Sequence, residues 1–241
     1  MCGLILQRKN HGRKLNMTKT AVVVGATGNI GKSVCHALQE AGYALDQQWL
    51  GSDRPNATKK ESYAQLPKKI DTAIYLAGIN RIVKSELLST EDWDLVHNVN
   101  LKGAFFFAQS AFPALKAAKN ASFIVISSIM TTHPYPGRLA YATAKAGLEA
   151  MVRSLCVEWG EYGIATHALR LGHMEGLMKT TIANPGLLEA VKHYAPLKKL
   201  IAPTEVAKYI IWLVNGGCHA VSGSVVDFDP GYTINRWPLT T

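Results

Sequence analysis

Apolar and polar positions along this chain alternate in a repeating order of short buried runs, glycine-bearing turns and longer helical stretches. Thr20–Val24 is a β-branched run closed by Gly25 and reads as a buried strand. Ile30 to Ala41 has helical spacing with Gly42 as its stop. The same order recurs downstream. Thr72 to Leu76 predicts a strand closed by Ala77-Gly78, and Trp93 to Leu115 a largely helical stretch ended by Pro113. Ser122–Ser128 predicts a strand, Leu139–Trp159 a long helix and Ala165–Leu171 another strand. Thr204 to Val214 then predicts a helix and Ser224–Phe228 a last strand. This alternation predicts an α/β fold: a three-layer, doubly wound Rossmann-type parallel sheet with helices on both faces.

Two stretches depart from the pattern. Tyr43 to Ile70 has room for second and third sheet units, yet it is short and polar, so at least one element there is expected to be reduced. Gly172 to Pro203 reads as loop-rich, with Pro185-Gly186 in its middle. It follows a strand at the sheet end where ligands bind, and so reads as a substrate-covering segment.

Composition narrows the class. With 241 residues and 48% hydrophobic content, the chain can bury one full-sized core. We read residues 17–241 as a single domain, and residues 1–16 as a disordered extension or an upstream start. No apolar run approaches the length of a membrane span. Cys2, Cys35, Cys156 and Cys218 have neither metal-ligand nor redox spacing; they suit a reducing, cytoplasmic compartment, and no metal is expected. The net charge of +9 invites a nucleic-acid reading. Arg8, Lys9, Arg13 and Lys14 supply four of those charges from the first sixteen residues, and the rest are dispersed, so no nucleic-acid partner is expected.

Val22-Val-Val-Gly-Ala-Thr-Gly-Asn-Ile-Gly31 leads from a strand through a glycine turn into a helix, the setting in which a glycine pattern points to a dinucleotide. Gly25 permits the sharp turn, Gly28 close backbone approach, and Gly31 packing of helix on strand. The helix N-terminus then offers free N–H groups and a positive dipole end to a pyrophosphate. An acid further along would hold the ribose diol of NAD. Asp53 is the nearest candidate, while Arg54 beside it could pair with the phosphate of NADP, and Asp46 lies early. The choice between NAD and NADP stays open.

Tyr141 and Lys145 stand four apart in Leu139-Ala-Tyr-Ala-Thr-Ala-Lys-Ala-Gly147, on one face of the predicted helix. A lysine charge about 5 Å away, at an effective dielectric near 20, favours a phenolate by roughly 3 kcal/mol, about two pKa units. That would bring Tyr141 towards proton exchange with an alcohol or carbonyl oxygen. Ser128 ends a strand thirteen residues upstream, and Asn100 opens a helix in Val99-Asn-Leu-Lys-Gly-Ala-Phe105.

With this set the chain resembles the short-chain dehydrogenase/reductase family from about Thr20 to Thr233. Supporting motifs are Trp159-Gly-Glu-Tyr-Gly-Ile164, Ala202-Pro-Thr-Glu-Val-Ala207 and Asp229-Pro-Gly231. The resemblance implies an NAD(P)-dependent oxidoreductase interconverting a carbonyl and an alcohol. Tyr141 would pass the proton, and Lys145 would lower its pKa and bind the nicotinamide ribose. Ser128 would polarise the carbonyl, and Asn100 would keep a helix kinked around a proton-relaying water. It also implies cofactor contacts from Thr27, Asn29, Ile30, Ala77, Gly78, Gly172 and Met174, and a homo-oligomer, dimer or tetramer, assembled through the helices around Phe105 and Met151. Ile129, His133, Tyr135 and the 173–200 segment would face a small-molecule substrate. The basic residues Lys179, Lys192, Lys198 and Lys199 would suit an anionic or carrier-linked one, or a solvated lid.

The chain departs from the family pattern at several positions. Asn29 stands where a further glycine is usual, Tyr75-Leu-Ala-Gly78 lacks the usual asparagines, and Gly176 stands at the position of a nicotinamide-binding threonine. The competing expectation is therefore a catalytically silent dinucleotide-binding regulatory or scaffold protein of the same fold.

Overall fold

The computed structural model describes residues 19–46, 49, 55–176, 185–217 and 220–235. Six strands form one parallel sheet: β1 (Thr20–Val24), β2 (Ala44–Leu45), β3 (Thr72–Tyr75), β4 (Ser122–Ser128), β5 (Ala165–Leu171) and β6 (Ser224–Phe228). Their order is β2-β1-β3-β4-β5-β6. Chain direction around the sheet reverses between β1 and β3, which places a ligand crevice beyond their carboxyl ends.

Because β-strand side chains alternate between faces, the apolar runs feed two cores. Ala21, Val23, Ile74, Ile124 and Leu169 face one layer, covered by α1 (Asn29–Glu40) and a later helix, Pro203–Trp212. Val22, Val24, Tyr75, Phe123 and Ala168 face the other. That side is covered by Gly103–Lys116 (α3) and Leu139–Trp159 (α4), with Thr90–His97 (α2) packed on α4. Fully burying one such Val, Leu, Ile or Phe is worth about 1.5–3 kcal/mol, so the double-sided burial is what holds the sheet.

The polar stretch after β1 and α1 is reduced, as its composition implies. β2 has two residues, and between β2 and β3 the described residues hold only 3-10 structure, at Trp49 and at Lys60–Tyr63. An aromatic plug fills that side instead: Trp49 stacks on Tyr63 at 5.2 Å between centroids, and Tyr63 packs on Phe107 at 5.4 Å.

Two expectations are corrected. The helical stretch from Trp93 is broken by a wide turn, Asn98–Lys102, with i→i+5 bonding, and Pro113 lies inside α3 rather than ending it. The substrate-side segment contains helix α5 (Pro185–Tyr194), with Pro185 opening it, where a proline's missing N–H is harmless. Residues 177–184 lie outside the described set; α6 is Pro203–Trp212.

Candidate active site

The glycine turn is built by collisions that only glycine avoids. Gly25 has φ +90°, and a Cβ there would stand 2.7 Å from the Ala77 nitrogen. A Cβ on Gly31 would meet the Gly25 carbonyl oxygen and come within 2.6 Å of Ala26. Gly28 caps α1 with extended geometry; no side chain caps this helix, and its first turn carries no acid. Its end is therefore left for an anion.

A cavity of about 560 Å³ runs from this turn to the carboxyl ends of β4 and β5. Gly25, Gly28, Asn29, Ile30 and Gly31 line one end. Ser128, Tyr141 and Lys145 line the other, with Gly78, Gly172 and Met174 between. Thr27 and Ala77, expected at the cofactor, are not among the lining residues, and Asp53 lies outside the described residues. Of the expected substrate-facing residues, Ile129, Tyr135 and His173 line the cavity. His133 does not: its exposed ring bonds to Thr132 Oγ1 at 3.0 Å.

Ser128 is held at the end of β4, where its Oγ accepts from the Met130 amide at 3.3 Å. Its hydroxyl faces the Tyr141 phenol, in the first turn of α4, as a donor that pulls the phenol pKa down. Burial raises the Tyr141 pKa above that of an ordinary phenol; the Ser128 hydroxyl and the nearby Arg138 charge pull the other way. Lys145 is buried, with its ammonium 5.7 Å from the Tyr141 ring centroid. It donates to the Ile126 carbonyl at 2.7 Å, and burial lowers its pKa to about 8. Burial thus outweighs the two groups, Ser128 and Arg138, that pull the Tyr141 pKa down.

Asn100 sits in the wide turn between α2 and α3. Its Nδ2 donates to the Ile79 and Val96 carbonyls, each at 2.8 Å. Its buried Oδ1 has no protein partner. A Cβ on Gly78 would lie 2.8 Å from that oxygen and 3.4 Å from Lys145 Nζ. Gly78 therefore makes room for the Asn100–Lys145 neighbourhood, a role its glycine alone did not reveal.

Sequence reading missed three features. Glu149, one turn beyond Lys145, accepts from Ser127 Oγ (2.6 Å), Thr131 Oγ1 (3.1 Å), Arg170 Nε (2.9 Å) and Arg170 Nη2 (2.7 Å). This buried network braces the strand end that carries Ser128. Burial opposes the Glu149 charge, but the bonds from Arg170, Ser127 and Thr131 hold its pKa below the ordinary value. Second, Tyr135 OH bonds to His173 Nε2 at 2.9 Å and to Tyr232 OH at 2.7 Å, forming an aromatic wall. Burial lowers the His173 pKa to about 4. Third, Asn29 Nδ2 donates to the Gly176 carbonyl at 3.0 Å, so two of the departures from the family pattern touch each other. Only the i,i+4 spacing of Lys145 and Glu149 offered a signal for any of these.

This geometry, a glycine-turn crevice leading to a Ser–Tyr–Lys cluster, defines a dinucleotide-fold oxidoreductase, and the comparisons agree. Residues 51–233 match the family described as Enoyl-(Acyl carrier protein) reductase. A 3-oxoacyl-(acyl-carrier-protein) reductase of Thermotoga maritima is 32% identical over 174 residues, 72% of this chain and 70% of that protein. An acetoacetyl-CoA reductase of Acinetobacter sp. is 26% identical over 88% of this chain and 97% of its own. The aldohexose dehydrogenase of Thermoplasma acidophilum, at 21% identity, shares the fold with a TM-score of 0.83 over 93% of this chain and 97% of that one. The chain belongs to the short-chain dehydrogenase/reductase family.

Among the described residues no helix is long and apolar enough to cross a membrane, and no group of three or more His, Cys, Asp or Glu could hold a metal.

Proposed function

We propose that this protein interconverts a carbonyl and an alcohol with NAD(P), using Tyr141 as general acid and base. The observation that carries the reading is that Ser128, Tyr141 and Lys145 line one cavity, which begins at the uncapped end of α1. Gly25, Gly28, Ile30 and Gly31 would hold a dinucleotide, since the helix end beside them has neither cap nor acid to satisfy it. A nicotinamide, when bound, supplies or accepts the hydride. The chain's own residues handle the proton and the charge. Ser128 donates to the carbonyl oxygen as negative charge develops there. Tyr141, kept protonated by burial, delivers its proton to that oxygen in reduction and recovers one in oxidation. Lys145, with a pKa of about 8, can shed and regain a proton near neutral pH, and Asn100 Oδ1 offers an acceptor on the route behind it.

The names of the relatives make 3-oxoacyl thioesters the first substrates to try. Assembly as a dimer or tetramer through α3 and α4 would cover exposed Phe105 and Val157 on those helices. The decisive experiment follows reduced-nicotinamide absorbance, with NADH and with NADPH, over a panel of carbonyl compounds. Tyr141→Phe is expected to lose about a thousandfold in kcat while binding reduced cofactor as before. Equal turnover by the variant would refute the assignment.

A further inference from the structure

Arg138 stands three residues before Tyr141, at the N-cap of α4, and lines the same cavity. It is partly buried, and burial works against its charge, whereas Tyr141 and Tyr135 favour it. Among the described residues it has no carboxylate partner. Two other arginines are paired: Arg81 with Asp92, and Arg170 with both Glu149 and Asp227. Among the described residues no aspartate or glutamate lines the cavity, and the other cation lining it, Lys145, is engaged by the Ile126 carbonyl.

The position is unfavourable for a cation in a second way. α4 is a 21-residue helix with no side-chain cap and no acid in its first turn. Its positive end is thus uncompensated, and the residue at its cap position adds a further positive charge. A cation there is disfavoured by about 0.3–1 kcal/mol, and the preferred capping residues are Ser, Thr, Asp and Asn. An anion in the cavity would neutralise the guanidinium and the helix end together. The neighbouring wall does not compete for it, because Tyr135, His173 and Tyr232 are bonded to one another.

We infer that Arg138 is the anchor for a carboxylate on the substrate, and that the chain acts on short oxo acids and their hydroxy-acid counterparts. This rests on the carbonyl–alcohol reading above. The planar guanidinium fork matches a carboxylate bidentately, which fixes the orientation of a small molecule as well as its affinity. With the acid group on Arg138, the carbonyl of a short oxo acid is directed to the Ser128–Tyr141 pair next to it.

The test compares 2-oxobutanoate and 3-oxobutanoate with their methyl esters, which keep the carbonyl and lose the charge. Wild type is expected to prefer at least one acid to its ester at least tenfold in kcat/KM. In Arg138→Gln that acid-to-ester ratio is expected to collapse towards one, and in Arg138→Lys to fall in between, since the charge remains and the fork is lost. A wild-type ratio near one for both pairs, or a ratio unmoved in Arg138→Gln, overturns the inference. Calorimetric titration of 3-oxobutanoate into cofactor-loaded protein separates this from the reductase reading. Binding that persists in Tyr141→Phe and is lost in Arg138→Gln upholds the anchor even where no carbonyl is turned over. Reduction of neutral carbonyls with no acid preference and no Arg138-dependent binding leaves the reductase and removes the anchor.

Discussion

Replacing Lys145 with methionine is expected to make the protein harder to unfold while ending its turnover. Lys145 is 3% exposed, and its ammonium donates one bond to the Ile126 carbonyl and has no carboxylate partner among the described residues. Burial takes its pKa from an ordinary 10.5 to about 8. That difference of about 2.5 units corresponds to roughly 3 kcal/mol of penalty for keeping the folded-state charge at pH 7. Methionine fills similar space without the charge, but forfeits the bond to Ile126, worth about 1 kcal/mol. The net expectation is a gain of about 2 kcal/mol, or roughly 5 °C in Tm for a chain of this size. The sign with pH follows from proton counts. Between pH 8 and 10.5 the unfolded lysine holds a proton that the folded one has released, so wild-type stability rises across that window and the penalty vanishes above it. Urea unfolding of both proteins at pH 7 and pH 10 measures this, and the advantage of the variant is expected to shrink at the higher pH. A variant less stable than wild type at pH 7, or a gap independent of pH, would refute the reasoning.

Other perturbations follow from the same geometry. His173, lowered by burial to about 4 from an ordinary 6.5, favours the folded state fully above pH 6.5; that contribution is lost as pH falls towards 4. The loss amounts to about 3 kcal/mol, and His173→Gln is expected to flatten this limb in acid titrations of stability. Gly31→Ala forces a methyl into the Gly25 carbonyl and the Ala26 backbone and is expected to cost about 3 kcal/mol or more. Gly28→Ala, whose Cβ would sit 3.5 Å from Gly25 O, is expected to cost far less in the same urea assay. Glu149→Gln removes the carboxylate between Arg170 and Ser127, and is expected to lose about 3 kcal/mol in chemical unfolding.

Strand positions were readable because the inner strands are buried on both faces, so β1 and β4 show as largely apolar runs, and β5 and the less buried β6 were also read with their observed bounds. The wide turn at Asn98–Lys102 was foreshadowed only by the kink at Asn100 that the family resemblance implied, because one extra residue per turn barely disturbs an apolar pattern. Tyr141, Lys145 and Ser128 were legible through local spacing and meet at one cavity. Glu149 and Arg170 were not, since 21 residues separate them and only the packing of α4 on β5 makes them partners. The burial that raises the Tyr141 pKa was not legible for a related reason: sequence gives the separation of two groups along a helix, but not how dry their surroundings are.

The Asn29–Gly176 bond bears on how this chain could have evolved. Gly176 has φ +71°, a backbone state that resists threonine, and a Cβ there would lie 3.1 Å from the Asn29 amide. Threonine at 176 would be strained by that backbone and would press the Asn29 amide aside by a few tenths of an ångström, while glycine at 29 would leave the exposed Gly176 carbonyl to water. The two positions share one 3.0 Å contact and are expected to couple, so homologues carrying Asn at the first position are expected to carry glycine at the second.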